Sequence, residues 1–436
     1  MRIKAKTLCQ YIFPAVGGLF VAFLYNVVDG ILVGRGVGSA ALGAVNIAVP
    51  YITFSVAVAA MFPMGGATVV AIRMGRGDRA GANQAFMTAL MLTLALSALL
   101  TVTGMVFSQP IVDICGADKV SGTMRKMASD YLFYYAAFSI PSLMATCLSV
   151  FVRNDGEPTP SFVGMCIGAV SNIFLDWLFI FPLNMGVIGA AIASGLGQIF
   201  SVLVLLTHFV RRKGELRIGR FHTSGALIAK ISKRGLPEAF SQLNTPVTAF
   251  CYNLMLARLV GDIGVSTFSI LSFIYALANA ILSGVAQGLQ PLWGVSYGRK
   301  SSEEIQALTW SGLWINLALS TAIYGLLYIF AVPVVSIFNQ EAELVQAASK
   351  ELPVFALSFI PMALSLIYTA YLFSTKRTLQ ANLVAGSRTF VKAILIFAFP
   401  LWLGNSGAVW YAPMAAETIS LLLALVLVKK SKLIFS

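Results

Sequence analysis

Charged side chains are scarce in this sequence. Asp, Glu, Lys and Arg make up 11% of its 436 residues, against about 25% in soluble domains. A chain that is 58% hydrophobic with so little charge has no means of covering its apolar surface in water. That excludes a soluble globular domain and leaves an integral membrane protein. Histidine is limited to His208 and His222, at or beyond the end of one apolar segment. The five cysteines (Cys9, Cys115, Cys147, Cys166 and Cys251) are scattered and form no CxxC pair, which argues against a zinc site or a disulfide framework. No phosphate loop, nucleophile elbow or metal-ligand cluster occurs, so no cofactor is expected. A membrane-embedded enzyme is left without a convincing catalytic set.

What is present is a series of apolar runs. Their limits predict twelve helices, at 8–33, 41–72, 84–108, 129–152, 161–182, 187–210, 236–257, 265–297, 308–331, 352–374, 379–402 and 407–428. Several exceed the roughly 20 residues a bilayer needs. Arg2, Lys4 and Lys6 precede a first run too long for a signal peptide, so that run reads as a retained span. With both termini cytoplasmic, the inside segments hold 22 of the 30 Lys and Arg residues and the outside segments six. That asymmetry is the positive-inside signal of a plasma-membrane protein. The net charge of +13 is therefore topogenic, with lipid contact at the basic segment 211–235, and no nucleic-acid partner is expected.

The same segment divides the helices six and six. At an offset of 223 residues Pro14 aligns with Pro237, Gly38 with Gly261, and Gly75-Arg76 with Gly298-Arg299. At an offset of 220, Ile140-Pro141 aligns with Ile360-Pro361. An even helix count per half gives both halves the same orientation. The expectation is two pseudo-symmetric six-helix bundles, parallel repeats around a central cavity, in an all-α membrane protein. The predicted division is an N-terminal bundle at 1–210, a basic cytoplasmic linker at 211–235 and a C-terminal bundle at 236–436.

Of seventeen acidic residues, three lie well inside spans: Asp29, Asp176 and Glu417. An ionisable group at membrane depth costs roughly 3 kcal/mol or more and marks function by default. Counted from the outer helix ends, Asp29, Asp176 and the hydroxyl of Ser194 fall at about 8–11 Å depth on three helices. Asn172 is one turn deeper on the face of Asp176. Such a set either holds a proton between carboxylates or offers oxygen ligands to a hard cation such as sodium. Its structural alternative is mutual hydrogen bonding between helices, which two carboxylates without a basic partner serve poorly. Pro14, on the helix of Asp29, makes either a static bend or a hinge. Arg388 and Lys392 share a face of helix 11 and are expected either to form an ion pair with Glu417 of helix 12 or to serve a substrate or conformational-switch role. Met61, Met64, Met87, Met91 and Met144, with Phe62, either line an adaptable drug cavity or pack in the core.

The order and spacing of these residues resemble the multidrug and toxic compound extrusion (MATE) family. The carriers are Pro14, Val28-Asp29 and Gly34; Gly75-Arg76-Gly77-Asp78; and Arg153-Asn154-Asp155-Gly156-Glu157-Pro158. They continue with Asn172-Ile173-Phe174-Leu175-Asp176, the run Gly186–Ser194, Gly235-Leu236-Pro237 and Pro413-Met414-Ala415-Ala416-Glu417. The resemblance implies a V-shaped pair of bundles and export of drugs or toxins by exchange with protons or sodium. It also implies a cation site of Asp29, Asn172, Asp176 and Ser194, with Tyr131 as a further member. Helix 10 carries no acid, nor does helix 7 after Glu238, which fits the DinF-like or MepA-like branches. A monomer is expected. A flippase for lipid-linked oligosaccharide, from the same superfamily, is the alternative; that group commonly has more helices and a basic central cavity.

Overall fold

The computed structural model describes residues 5–115, 117–219, 223–338 and 341–429. Sixteen α-helices and two short 3-10 turns account for almost all of them, and no strand occurs among the described residues. This follows from the composition, because backbone polar groups in lipid must pair within their own segment. The first eight helices are α1 (Ala5–Gly36), α2 (Ser39–Gly75), α3 (Arg79–Val106), α4 (Ser108–Ile114), α5 (Gly122–Ala137), α6 (Ser139–Asn154), α7 (Pro158–Ile180) and α8 (Gly186–Val210). The second eight are α9 (Gly225–Leu259), α10 (Asp262–Gly298), α11 (Ser302–Ile329), α12 (Ala331–Ser336), α13 (Ala342–Ala356), α14 (Phe359–Ser374), α15 (Thr378–Leu403) and α16 (Ala412–Lys429).

The repeat is written into the helix limits. α2 and α10 are both 37 residues long and begin 223 apart; α3 and α11 are both 28 long with the same offset. α6 and α14 are both 16 long and begin 220 apart. The N-caps repeat as well. Asp78 accepts from Gly81 N, and Ser301, 223 residues on, accepts from Glu304 N. Each satisfies a helix-terminal donor that would otherwise be orphaned.

Two of the predicted spans, 129–152 and 352–374, are each two helices. α5 and α6 meet at 50°, and α13 and α14 at 41°. The cause is Pro141 and Pro361, which lack the N–H that would bond the carbonyls of Ala137 and Leu357 four residues earlier. α5 ends at Ala137 and α13 at Ala356. Nine other helices among the described residues are long and apolar enough to cross a bilayer, and the bent pairs bring the number to eleven. The twelfth is α9. Its 35 residues suffice in length, but Gln242, Asn244, Thr245 and Thr248 dilute its apolar character. α9 begins at Gly225, so nearly half of the predicted linker 211–235 is helical.

The chain forms two compact units. One is Gly17–Ala239; the other joins Met1–Val16 to Phe240–Ser436. α1 is continuous through Pro14 and is shared by both units. Its first half packs on α10, where a Cβ on Gly284 would meet Val16 Cα at 2.6 Å and one on Gly288 would meet Ile12 Cα at 2.9 Å. Within the first unit, α2 and α9 cross backbone to backbone. A Cβ on Gly65 would lie 2.1 Å from Ile231 O, and one on Gly235 would lie 1.8 Å from Met61 O. Gly235→Ala is therefore expected to lower stability by about 1–3 kcal/mol through overpacking. Gly325→Ala in α11, where no atom lies within 4 Å, is expected to raise it by about 0.5–1 kcal/mol. Thermal unfolding in detergent checks both, and equal shifts would contradict the crossing.

Candidate cation site

The site is assembled within the unit Gly17–Ala239 by close helix approach. α7 and α8 meet at glycines: a Cβ on Gly197 would fall 2.7 Å from Gly168 O and 3.0 Å from Asn172 Cβ. Contact this close brings the following turn of α7 against the preceding turn of α8. Asn172 Nδ2 accordingly donates to Ser194 Oγ at 3.2 Å. α1 touches α7 at two places, with Gly17 and Gly18 against Phe162 and Met165, and Gly36 against Ile180 and Phe181. These contacts bracket Asp29 on one helix and Asp176 on the other.

Asp29 stands seven residues before the end of α1, Asp176 four before the end of α7, and Ser194 eight after the start of α8. At 1.5 Å per residue these are rises of about 11, 6 and 12 Å from the helix ends. Asp176 and Asn172 are buried, while Asp29 and Ser194 are half-buried. The charged neighbour of each carboxylate is the other carboxylate. Four acceptor oxygens, Asp29 Oδ1, Asn172 Oδ1 and both of Asp176, are buried without a hydrogen-bond donor. Buried polar atoms nearly always find a partner, and a network made only to join helices would supply donors. This cluster supplies acceptors. A proton between the carboxylates satisfies it, as does a monovalent cation held by carboxylate, amide and hydroxyl oxygens. No group of three or more His, Cys, Asp or Glu that could hold a metal ion occurs among the described residues.

Tyr131 of α5 is buried in the apolar cluster beside the site and stacks on Tyr135 at 6.2 Å. It lies in the field of both carboxylates, as does Tyr25 of α1. Tyr25 escapes sequence reading because an aromatic in an apolar helix is unremarkable. Its one signal is the spacing of four residues to Asp29, which puts both on one face. Pro14 is not at the site. It lies fifteen residues before Asp29, about 22 Å along α1. The methionines of the supposed drug cavity separate: Met64 and Met87 are buried.

Arg388 and Glu417 belong to the other unit. Arg388 Nε donates to Glu417 Oε2 at 2.9 Å, and Lys392 Nζ donates to Glu417 Oε1 at 2.8 Å. Lys392 also lies over the Tyr275 ring at 5.5 Å. All three charged groups are buried.

A third buried acid, Asp155, enters the sequence reading only as part of the Arg153–Pro158 motif, and it sits just beyond a helix end. Asp155 Oδ2 is 2.8 Å from His208 Nε2, and Oδ1 accepts from Glu215 N at 2.8 Å and Leu216 N at 3.1 Å. His222 lies outside the described residues.

Comparison with known proteins extends this picture. The MatE family profile matches residues 14–178 and again 237–398. The two matches start 223 residues apart and end 220 apart, the offsets that relate the helices. The first takes in Asp29, Tyr131, Asn172 and Asp176. The multidrug export protein MepA of Staphylococcus haemolyticus (strain JCSC1435) is 23% identical over 426 residues, spanning 97% of this chain and 93% of that protein. MepA of Staphylococcus aureus (strain MRSA252) is 22% identical over 432 residues with the same coverage. Among solved structures, a multidrug resistance MATE family transporter of the MOP superfamily in an outward-facing conformation superposes with a TM-score of 0.93 at 22% identity. The match covers 99% of this chain and 97% of that one. The likeness establishes the fold, an all-α membrane protein of twelve spans in two repeated halves.

Proposed function

This chain belongs to the MatE family, and from that premise we propose that it is a cation-coupled exporter of amphipathic, often cationic small molecules. The observation that supports this is the set of buried acceptor oxygens on α1 and α7 that lack a hydrogen-bond partner among the described residues. In this reading Asp29 and Asp176 take up one proton between them as a drug molecule leaves, and α1 flexes at Pro14 when they do. The MepA relatives, named as multidrug export proteins, match along nearly their whole length, which fits the same class of substrate. Plasma-membrane placement with both termini cytoplasmic follows from the loop charges, 22 basic residues inside against six outside.

Proteoliposomes carrying a fluorescent cationic dye and an imposed proton or sodium gradient test this directly. Dye movement driven by the proton gradient alone is expected. Ser194→Ala sharpens the outcome. The hydroxyl accepts from Asn172 and would ligate sodium, but it takes no part in sharing a proton. Proton-driven transport by this variant should stay within about twofold of wild type, whereas a sodium site losing one ligand weakens by roughly fivefold or more. Transport driven by sodium alone and lost in Ser194→Ala would replace the proton reading.

A further inference from the structure

At the end of the unit Gly17–Ala239 remote from the carboxylates, residues 213–219 form a strap held in a fixed place. Asp155 holds it from beneath by accepting the Glu215 and Leu216 N–H groups. Gly214 lies so close that a Cβ there would fall 1.7 Å from Asp155 Oδ2. From the side, Asn83 Oδ1 accepts from Arg217 N at 2.6 Å, and Arg79 pairs with Glu215 at 2.6 Å. The clamped strap walls a cavity of about 560 Å³ whose lining includes Arg73, Asp78, Asn83, Gln84 and Arg217. That volume is within the roughly 300–1,000 Å³ of ligand pockets.

The cavity is positively charged. The Arg73 guanidinium donates to Gly81 O, and that of Arg217 to the carbonyls of Gly214 and Leu216. Carbonyl partners fix a guanidinium without neutralising it, and each arginine keeps further donors. The acid of the lining, Asp78, lies 3.9 Å from Arg73 and caps α3 through Gly81 N. Beside the cavity, the exposed Lys230 ammonium lies in the field of Arg234, Arg73 and Arg76. Cations are thus crowded around a built pocket at the ends of apolar spans, where lipid headgroups lie. A merely topogenic set of charges needs neither a clamp nor a cavity.

We propose that this cavity binds a phosphate ester, the headgroup of an anionic lipid. Basic pockets between spans on the cytoplasmic side take such headgroups. The test uses the full chain in phosphatidylcholine nanodiscs with increasing phosphatidylglycerol, counting retained lipid by native mass spectrometry. Wild type is expected to retain phosphatidylglycerol selectively. The double variant Arg217→Gln/Lys230→Gln should bind it roughly thirtyfold more weakly, at about 1 kcal/mol per cation. Asp155→Ala, which frees the strap, should act in the same direction. The double variant changes only side chains at the water-exposed end, so it keeps the test valid if Asp155→Ala fails to fold. Soluble glycerol phosphate distinguishes the sources: displacement of the lipid shows a site for free phosphate esters as well, and no displacement shows a lipid site. Equal retention of both lipids by wild type, or unchanged retention by the double variant, overturns the proposal.

Discussion

Asp29→Asn is expected to reduce gradient-driven dye transport in proteoliposomes to the level of protein-free vesicles, while the protein stays folded. Asn keeps the shape of the side chain and removes the charge. In wild type the charged neighbour of Asp29 is Asp176, so the substitution relieves a repulsion rather than breaking an ion pair. Its unfolding temperature in detergent should therefore match or exceed that of wild type. A structural role predicts the opposite pair of results: retained transport and a lower unfolding temperature. Asp176→Asn is expected to behave alike. The double variant should be no worse than either single one, because residues that act as one unit lose their function together. Coupled transport by Asp29→Asn at the wild-type rate would refute the mechanism.

The parts of this molecule that were legible in the sequence are those where physics leaves one solution. Apolar runs become helices because lipid admits little else. The shared offsets of 223 and 220 appear first in the pairs Pro14/Pro237 and Pro141/Pro361 and then as pairs of helices of equal length. Asp29 and Asp176 were legible because a carboxylate inside such a run has no cheap explanation. The bends were missed although their prolines were seen: Pro141 and Pro361 repeat at an offset of 220, but a proline in a helix bends it by an amount that packing sets. Asp155 was hidden by its position one residue beyond α6, where an acid is ordinarily solvated. The return of the strap over it and His208 at its side make it buried. Tyr25 and Tyr131 were ambiguous because an aromatic ring serves an apolar core as readily as a polar site.

Glu417→Gln is expected to destabilise the protein by about 3–5 kcal/mol, the cost of breaking a buried ion pair. Arg388, Lys392 and Glu417 are 5%, 2% and 1% exposed, so none can turn to water without moving its helix. Glu417 accepts from Arg388 on both oxygens and from Lys392 on Oε1. Loss of its charge leaves two buried cations facing each other. The Tyr275 ring at 5.5 Å from Lys392 offsets little, because a cation–π contact is worth about 2 kcal/mol even when desolvated. Lys392→Met separates charge from packing. It keeps an unbranched side chain one atom shorter and leaves a neutral Arg388–Glu417 pair, so its cost should stay under about 1.5 kcal/mol. The triple variant Arg388→Met/Lys392→Met/Glu417→Leu should recover most of the stability lost in Glu417→Gln, since replacing every charge leaves none unpaired. Thermal unfolding of the four proteins in one detergent decides the matter. If Glu417→Gln and Lys392→Met unfold together, the cluster is not the buried charge balance described here. If the triple variant is stable yet fails to move dye, the charges serve transport as well as folding.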